Sequence, residues 1–163
     1  MKANNGSGNN PSRDEWETPD WIFNPLLEQY KISFDCCASE LNYKAPYPKE
    51  DFLDIVEVND RVCWMNPPFS KAWIMFQHFF KVVTKGIAIY RADNFETGIW
   101  QKVIFPNATW VFIPDHRVSY EGLDGDGARF PSALIGFNVD PPKGIKGILL
   151  RPEISVELLL KTA

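Results

Sequence analysis

At residues 62–69 the chain reads VCWMNPPF, a short apolar run that stops at an asparagine followed by two prolines and an aromatic ring. The apolar part predicts a strand. The prolines predict where it ends, because each proline fixes its φ and lacks a backbone donor. Pro67 also biases Asn66 toward an extended conformation. The stretch therefore predicts a stiff corner directly after a buried strand.

This corner carries groups that suit a planar ring with an exocyclic amine. The Asn66 side-chain oxygen and a proline carbonyl can accept both amine hydrogens, and Phe69 can lie against the face of the ring. Accepting both hydrogens localises the lone pair of the amine nitrogen, which ring conjugation otherwise withdraws, so the nitrogen becomes a usable nucleophile. The plainer interpretation is a turn that closes a strand, since the chain has 13 prolines.

The size and composition of the chain indicate one globular domain. It has 163 residues and is 45% hydrophobic, enough for a substantial core, and no apolar run is long enough to span a membrane. Residues 1–12 are rich in Asn, Gly and Ser and lack the apolar segment of a signal peptide, so we expect a disordered tail and then a single domain over residues 13–163. The three cysteines have neither disulfide-framework nor zinc spacing, which favours a reducing cytoplasm.

The net charge of −4 at pH 7 argues against a nucleic-acid binder, but the charges are unevenly placed. Residues 13–60 hold 12 acidic and 4 basic side chains, whereas residues 61–163 hold 9 acidic and 12 basic ones. This division would suit a cationic cofactor and a polyanionic substrate bound side by side, with ordinary surface scatter as the alternative. If nucleic acid is bound, few phosphate contacts are expected.

The order of the predicted elements indicates an α/β fold with a mostly parallel sheet flanked by helices. Strands are predicted at residues 31–37, 61–65, 86–91, 109–113 and 132–139, helices are predicted after Thr18, from Ser70 to about Thr84 and at 95–105, and a last strand or short helix is predicted at 149–160. In such sheets, ligands bind beyond the carboxyl ends of the strands.

Local signals place the helix ends. Thr18 is the expected N-cap of the first helix, with Pro19 at its first position, and Pro25 is expected to kink this helix or delay its start. Ser70 and Gly86 are expected to cap and to close the second helix.

The strand predicted within residues 31–37 is expected to end near Asp35, which is followed by the small residues Cys36-Cys37-Ala38-Ser39. Small side chains let a backbone approach a ligand closely, and a carboxylate at that edge can bind an amine or a hydroxyl group. The loop is a degenerate version of a nucleotide-binding loop, because the usual glycines are missing. A structural aspartate at a strand end is the simpler interpretation.

Two further short segments could line a ligand. Asp51-Phe52 offers a carboxylate for an amine and a ring for adenine to pack on, although an exposed acid before a half-buried strand is the simpler interpretation. Trp16-Glu17-Thr18-Pro19 places an aromatic ring at a helix N-terminus, where free N–H groups favour carboxylates. A capped helix needs no ligand, however.

The connection from residue 114 to residue 131 contains Arg117 and Arg129 and predicts a mobile loop that faces the substrate, with plain flexibility as the alternative. His78 and His116 lack metal-ligand spacing, so no metal site is expected.

Taken in order, several of these segments resemble the phage-type DNA N6-adenine methyltransferases, the phage Dam family. The resemblance spans roughly residues 14–139, and the segments that carry it are Trp16-Glu17-Thr18-Pro19, Phe34-Asp35-x-Cys37-Ala38-Ser39, Asp51, Trp64-x-Asn66-Pro67-Pro68-Phe69, Tyr90-Arg91-Ala92-Asp93 with Trp100, residues 112–117, and Phe130-Pro131-Ser132-Ala133-Leu134. Corners of this asparagine-proline-proline-aromatic type occur in many amine methyltransferases, so the order of the segments carries the specificity.

The resemblance implies a Rossmann-like methyltransferase fold that uses S-adenosylmethionine and acts on N6 of adenine in double-stranded DNA, by direct in-line transfer to a flipped-out base. The residues that would line the cofactor site are Trp16, Thr18 and Pro19 at its methionine end, Asp35, Cys37 and Ala38 in its cradle, and Asp51 and Phe52 at its adenine. The residues that would hold the target base are Asn66, Pro67, Pro68 and Phe69, and those that would contact phosphates or bases are Arg91, Arg117 and Arg129. A phage enzyme of this kind would work in the host cytoplasm, with evasion of restriction as one purpose.

The chain departs from the family pattern at two places that bear on activity. The cofactor loop has Cys36-Cys37 without a glycine, and the aromatic residue of the corner is Phe69 where tyrosine is common. Phenylalanine keeps the stacking surface. Two other functions stay open, namely methylation of a protein side-chain amide, and a catalytically inactive relative that binds the cofactor or DNA.

Overall fold

The computed structural model of the protein describes residues 14–40, 42–48, 50–115, 117–120, 130–142 and 148–149. Within these residues, six strands form one sheet: β1 Ile32–Asp35, β2 Val62–Met65, β3 Gly86–Arg91, β4 Trp110–Phe112, β5 Ser132–Phe137 and β6 Ile148–Leu149. The helical elements are α1 Asp20–Tyr30, α2 Ala72–Val82, α3 Phe105–Asn107, 3₁₀ turns at Phe52–Asp54 and Phe69–Lys71, and a π-helical turn at Trp100–Ile104. None of these described helices is long and apolar enough to cross a membrane. The predicted tail at 1–12 and most of the segment 149–160 lie outside the described residues.

The strand order in the sheet is β1-β2-β3-β5-β4-β6. β1, β2 and β3 pair in parallel, whereas β5 is antiparallel to both β3 and β4, and β6 is antiparallel to β4. β1 to β4 share one direction, but the insertion of β5 between β3 and β4 makes the sheet mixed. The direction of β5 could not be read from its sequence, because a strand that is buried along its length shows the same apolar run in either direction.

The structure confirms the positions of the five predicted strands. β3 coincides with the predicted range 86–91, and β1, β2, β4 and β5 each lie within their predicted ranges. The helix predicted at 95–105 is irregular, because a π-helical turn at Trp100–Ile104 leads into the short helix α3. Pro106 lies in α3 and has no backbone N–H to donate to a preceding turn.

Helix α1 begins at Asp20, two residues after the predicted cap. Pro19 occupies the N-cap position, with φ −67° and ψ 150°, and no side chain caps the helix there. The prediction of Thr18 as N-cap and Pro19 as the first helical residue is therefore wrong. The helix continues through Pro25 without a delayed start and ends at Tyr30, and the C-cap Lys31 has a left-handed φ of 55°.

Helix α2 also begins later than predicted, because the 3₁₀ turn Phe69–Lys71 separates it from the proline corner. Ser70 does not cap α2, and its hydroxyl is bonded to the carboxylate of Asp14 at 2.5 Å. Gly86 begins β3 instead of closing α2. A Cβ at this glycine would lie 2.7 Å from the Cys63 carbonyl oxygen, so the residue allows the close approach of β2 and β3.

Helices cover both faces of the sheet, as predicted. On one face, Phe23 of α1 packs in an apolar cluster with Ile87 of β3. On the other face, Phe76 of α2 and Trp100 of the π-helical turn pack in a second cluster with Ala88. Ile87 and Ala88 are neighbours on β3 and so point to opposite sides of the sheet. The core therefore has two apolar layers with the sheet between them.

The carboxyl ends of β1, β2 and β3 lie at one edge of the sheet, because these strands are parallel. Asp35 ends β1, Asn66 directly follows β2, and Arg91 ends β3. The register pairs Asp35 with Trp64, two residues before Asn66. Predicted site residues from three separate segments thus meet at the edge where ligands bind in open α/β sheets.

Candidate active site

The side chain of Asn66 is held by a backbone group from the N-terminal segment. Its amide nitrogen Nδ2 donates a hydrogen bond to the carbonyl oxygen of Trp16 at 2.8 Å. Because a carbonyl can only accept, the nitrogen must face Trp16, and this assigns the position of the amide oxygen as well. Oδ1 is left as an acceptor, and no donor within the described residues is bonded to it.

The proline corner continues into a tight turn that directs its carbonyl groups. The Lys71 amide donates to the Pro68 carbonyl at 3.0 Å. The Ser70 amide donates to Oδ1 of Asp14 at 3.2 Å and is therefore not used to close a turn on Pro67. The Pro67 carbonyl, next to Asn66, is the corner's second candidate acceptor.

Phe69 belongs to an aromatic cluster, which we define as Trp16, Phe69, Tyr90, Tyr120 and Phe130. Trp16 and Phe130 contact Phe69 edge-on, with ring centroids 6.0 Å and 5.4 Å away. Tyr90 lies 6.3 Å from Phe69, and Trp16 stacks on Tyr120 at 6.0 Å. Edge-to-face contacts of this kind orient the rings in addition to burying them. The cluster therefore orients Phe69, and its member Trp16 also accepts the hydrogen bond from the Asn66 amide.

Asp35 lies buried at the end of β1, with 4% of its surface exposed. Its two carboxylate oxygens accept from the backbone amides of Cys37 at 3.1 Å and Lys44 at 2.9 Å. Burial raises the pKa of the Asp35 carboxyl to about 6. The hydrogen bonds from backbone amides and the nearby Lys44 charge offset only part of that effect. The loop after β1 thus wraps around a carboxylate that is costly to ionise.

An open groove of about 610 Å³ runs from this loop to the proline corner. Among the residues that line it are Asp35, Cys37, Ala38, Asp51, Phe52 and Pro68. The structure therefore brings most of the predicted cofactor residues together along one surface. The volume lies within the range of small-molecule and cofactor sites.

Two of the groove residues differ from expectation in detail. Phe52 is 3% exposed and contacts the ring of His78 edge-on at 5.0 Å, so most of its ring belongs to the core. Asp51 uses Oδ1 to accept from the Leu53 amide at 3.0 Å. Each therefore offers a ligand less surface than the sequence suggests, namely a ring edge and the remaining carboxylate oxygen.

A second, much smaller cavity is also lined by Asp35. It is lined by polar groups that include Thr18, Asp35, Lys44 and Asn66. The Thr18 hydroxyl is buried and has no hydrogen-bond partner within the described residues, and Thr18 is 1% exposed. Burying an unpaired hydroxyl costs free energy, so the site favours a polar group of a ligand or a bound water there.

The three predicted arginine contacts have different outcomes. Arg91 ends β3, donates to both carboxylate oxygens of Asp93 and lies over the Phe130 ring at 5.0 Å. The Asp93 hydrogen bonds raise the pKa of Arg91, and much of its charge is already balanced. Arg117 is exposed. Arg129 lies outside the described residues.

Three residues at the site were not predicted from the sequence. Asp14 holds Ser70, Tyr120 stacks on Trp16, and Lys44 lies beside Asp35 with its ammonium 3.1 Å from Asp20. The residues that they contact are distant in the chain, so their roles could not be inferred from neighbouring residues. Only Asp14 could have been suspected, because it lies two residues before Trp16, a predicted site residue.

Comparison with known proteins agrees with the resemblance noted from the sequence. The family model described as DNA N-6-adenine-methyltransferase (Dam) matches residues 6–122, a stretch that includes the Asp35 loop and the Asn66 corner. A DNA N-6-adenine-methyltransferase of Haemophilus phage HP1 (strain HP1c1) is 38% identical over 63 residues. That match covers 36% of this chain and 36% of the relative, so the chain spans about a third of the length of the curated relative it matches. Since the family model covers well over half of its residues, this chain belongs to the DNA N-6-adenine-methyltransferase (Dam) family.

Proposed function

We propose that this protein transfers a methyl group from S-adenosylmethionine to N6 of adenine in double-stranded DNA, in line and directly to a base flipped out of the duplex. The observation that carries the proposal is the Asn66 amide, which the Trp16 carbonyl orients so that Oδ1 is left to accept a hydrogen bond. Membership of the Dam family supports the same reaction.

The Asn66 corner would activate the target amine through hydrogen bonding. Asn66 Oδ1 and the Pro67 carbonyl accept the two N6 hydrogens, which directs the nitrogen lone pair out of conjugation with the purine ring. Phe69 stacks on the base, a contact typically worth about 1 to 3 kcal/mol. Most of the acceleration would come from positioning, because these groups are already oriented in the free protein.

The groove beside the corner suits the cofactor. When bound, S-adenosylmethionine would supply an electrophilic methyl group on a positively charged sulfur. The carbon–sulfur bond would break as the carbon–nitrogen bond forms, so that S-adenosylhomocysteine leaves and N6 releases one proton to the solvent. Asp35, Cys37 and Ala38 would form its cradle, Asp51 and the exposed edge of Phe52 would meet its adenine, and Trp16, Thr18 and Pro19 would border its methionine end. The Thr18 hydroxyl, which has no hydrogen-bond partner among the described residues, supports this assignment, because a polar group of a ligand would satisfy it.

The wider setting of the reaction follows from the same proposal. The parallel strands β1 to β3, with helices on both faces, support a Rossmann-like methyltransferase arrangement with the antiparallel β5 inserted. Arg117 and Arg129 would contact phosphates or bases, and Arg91 would reach DNA only as part of its pair with Asp93. We place the protein in the cytoplasm of a phage-infected cell, where adenine methylation protects DNA from restriction.

A methylation assay with matched DNA tests the proposal. Random-sequence duplexes that contain adenine are incubated with methyl-labelled S-adenosylmethionine and compared with duplexes in which each adenine is replaced by purine, which lacks the 6-amino group. We expect N6-methyladenine, identified by mass spectrometry, in the first pool and no label in the second. A parallel incubation contains a protein extract instead of DNA, and label there alone would indicate a protein amide methyltransferase. Cofactor binding, measured separately, without label on DNA or protein would indicate an inactive relative.

A further inference from the structure

Residues 14–16, which we call the N-terminal strap, contribute Asp14 and Trp16 to the lining of the small cavity of the candidate active site, and three described residues donate hydrogen bonds to the strap. Asn42 donates to the Glu15 carbonyl at 3.0 Å, and Asn66 donates to the Trp16 carbonyl at 2.8 Å. Ser70 donates to Asp14 through both its amide and its hydroxyl, at 3.2 Å and 2.5 Å. The strap therefore joins the loop after β1 to the proline corner.

Asp14 is the residue that fastens the strap to the far end of the corner. Asn66 and Ser70 bracket the Pro-Pro-Phe segment, and the strap is bonded to both of them. Each carboxylate oxygen of Asp14 accepts one hydrogen bond from Ser70. Hydrogen bonds to an ionised carboxylate are roughly twice as strong as those between neutral groups.

The link matters because the orientation of the Asn66 amide depends on the Trp16 carbonyl. If the strap lifts away, the amide loses the acceptor that holds its nitrogen, and rotation by half a turn would present NH₂ where Oδ1 should be. Two donors would then face each other at the target amine. Only Glu15 lies between Asp14 and Trp16, so the anchor acts on the amide through a short stretch of backbone.

We propose that Asp14 is a positioning residue, which holds the N-terminal strap on Ser70 so that the Trp16 carbonyl keeps Asn66 Oδ1 turned toward the target amine. This inference rests on the proposed function for its kinetic consequence. Its structural consequence, the orientation of one side-chain amide, does not depend on methyl transfer.

The chain offers a matched control in the neighbouring acid. Asp14→Ala removes both bonds to Ser70, whereas Glu15→Ala removes one negative charge from the same exposed strap and keeps the Glu15 carbonyl that accepts from Asn42. Asp14→Asn keeps an oxygen for the Ser70 amide and an NH₂ for its hydroxyl, so it should rescue part of the effect.

The kinetic experiment separates positioning from folding and from cofactor binding. We expect Asp14→Ala to lower kcat for DNA methylation on the order of 10- to 100-fold, the cost of misplacing a reacting group. KM for the cofactor should rise by a smaller factor, because Asp14 and Trp16 also line the small cavity beside Thr18. Glu15→Ala should stay close to wild type and Asp14→Asn should lie between. An Asp14→Ala enzyme with normal kcat, or one whose only change is a higher cofactor KM, would overturn the proposal.

Hydrogen exchange of the Asn66 side-chain amide reports whether its nitrogen is still hydrogen-bonded to the Trp16 carbonyl, the contact that fixes its orientation. The side-chain amide signal of Asn66, assigned by its loss in Asn66→Ala, should be protected in wild type and Glu15→Ala and exposed in Asp14→Ala. Full protection in a folded Asp14→Ala protein would contradict the inference. If wild type proves unable to methylate DNA, the proposed function fails, but this exchange measurement still decides the role of Asp14.

Discussion

The parallel and antiparallel halves of the sheet use polar groups in different ways. In the parallel half, β1 leads to a buried carboxylate at Asp35 and β2 leads to an amide at Asn66 with an acceptor left over. The hydroxyl of Thr18, which has no described partner, lies in the same cavity. The parallel half therefore carries a carboxylate that is poorly solvated and two polar groups whose hydrogen bonds are incomplete among the described residues.

In the antiparallel half, the polar groups of the buried rings are satisfied. Trp110 of β4 lies opposite Gly136 of β5, is 1% exposed and donates from Nε1 to the Val139 carbonyl at 2.9 Å. Ser132, which begins β5, is buried and shares a hydrogen bond of 2.8 Å with the Tyr120 hydroxyl. These strands are built for packing.

The difference separates stability from chemistry within one sheet. An incomplete polar group costs stability in the free protein and is retained where a ligand can complete it. A satisfied group beside a close-packed ring adds stability and offers a ligand nothing. The parallel half should therefore respond to mutation in activity and binding, and the antiparallel half in stability.

The largest effect should come from removing the side-chain amide of Asn66, whose Oδ1 is the acceptor left over. We expect Asn66→Ala to lower kcat for adenine methylation on the order of 100- to 1,000-fold, comparable with the loss of one preorganised transition-state hydrogen bond. Calorimetric titration should show cofactor affinity largely unchanged, because Asn66 is not among the residues that line the groove. A normal rate would remove Asn66 from its proposed role and end the functional contrast between the two halves.

The reverse experiment targets the antiparallel half. A Cβ at Gly136 would lie 2.0 Å from the Trp110 ring, so Gly136→Ala must displace a buried tryptophan. We expect the free energy of unfolding to fall by about 1 to 3 kcal/mol, measured by urea denaturation. The rate per folded molecule should change little.

Gly98→Ala is the matched control for this variant. A Cβ there would lie 3.1 Å from the ring of Trp73, which is 43% exposed and can move into solvent. Its stability should stay near that of wild type. Equal losses for the two glycines would show that the Trp110 contact is not special.

The smallest predicted effect is a pH dependence of cofactor binding set by Asp35. The raised pKa of about 6 means that the carboxylate is ionised at pH 7.5 and largely protonated at pH 5. If the ionised form holds a cationic cofactor, affinity should fall about tenfold at pH 5, where roughly one carboxyl in ten stays ionised. Asp35→Asn should bind more weakly and should flatten the profile, as followed by titration calorimetry.

The stability of the free protein should change with pH in the opposite direction to cofactor affinity: it should fall as the pH rises. A carboxyl whose pKa is higher in the folded state than its ordinary value of 3.8 stabilises the fold below about pH 4, and this contribution is lost as the pH rises through about 6. Wild type should therefore lose stability relative to Asp35→Asn between pH 4 and pH 7. An unchanged difference across that interval would show that Asp35 is not desolvated as the structure indicates.

Much of the candidate site was readable from local signals. Asp35 and Asn66 were placed at strand ends because apolar runs stop beside them, and both do lie at the carboxyl edge of parallel strands. Helix caps were less readable. Thr18 and Ser70 are good caps in isolation, but Ser70 is bonded to Asp14, and the Thr18 hydroxyl lies in the small cavity with no hydrogen-bond partner among the described residues. The assignment of roles to these residues stays a prediction.

The sequence by itself determined the proline corner, the strand positions and the family, since backbone restriction and apolar runs act between neighbouring residues. Only the tertiary structure decided that β5 runs antiparallel between β3 and β4, that Asp35 is desolvated, and that the Trp16 carbonyl orients Asn66 from 50 residues away in the chain. Such contacts depend on how distant segments meet, and a polar side chain carries no local sign of which distant partner it will find.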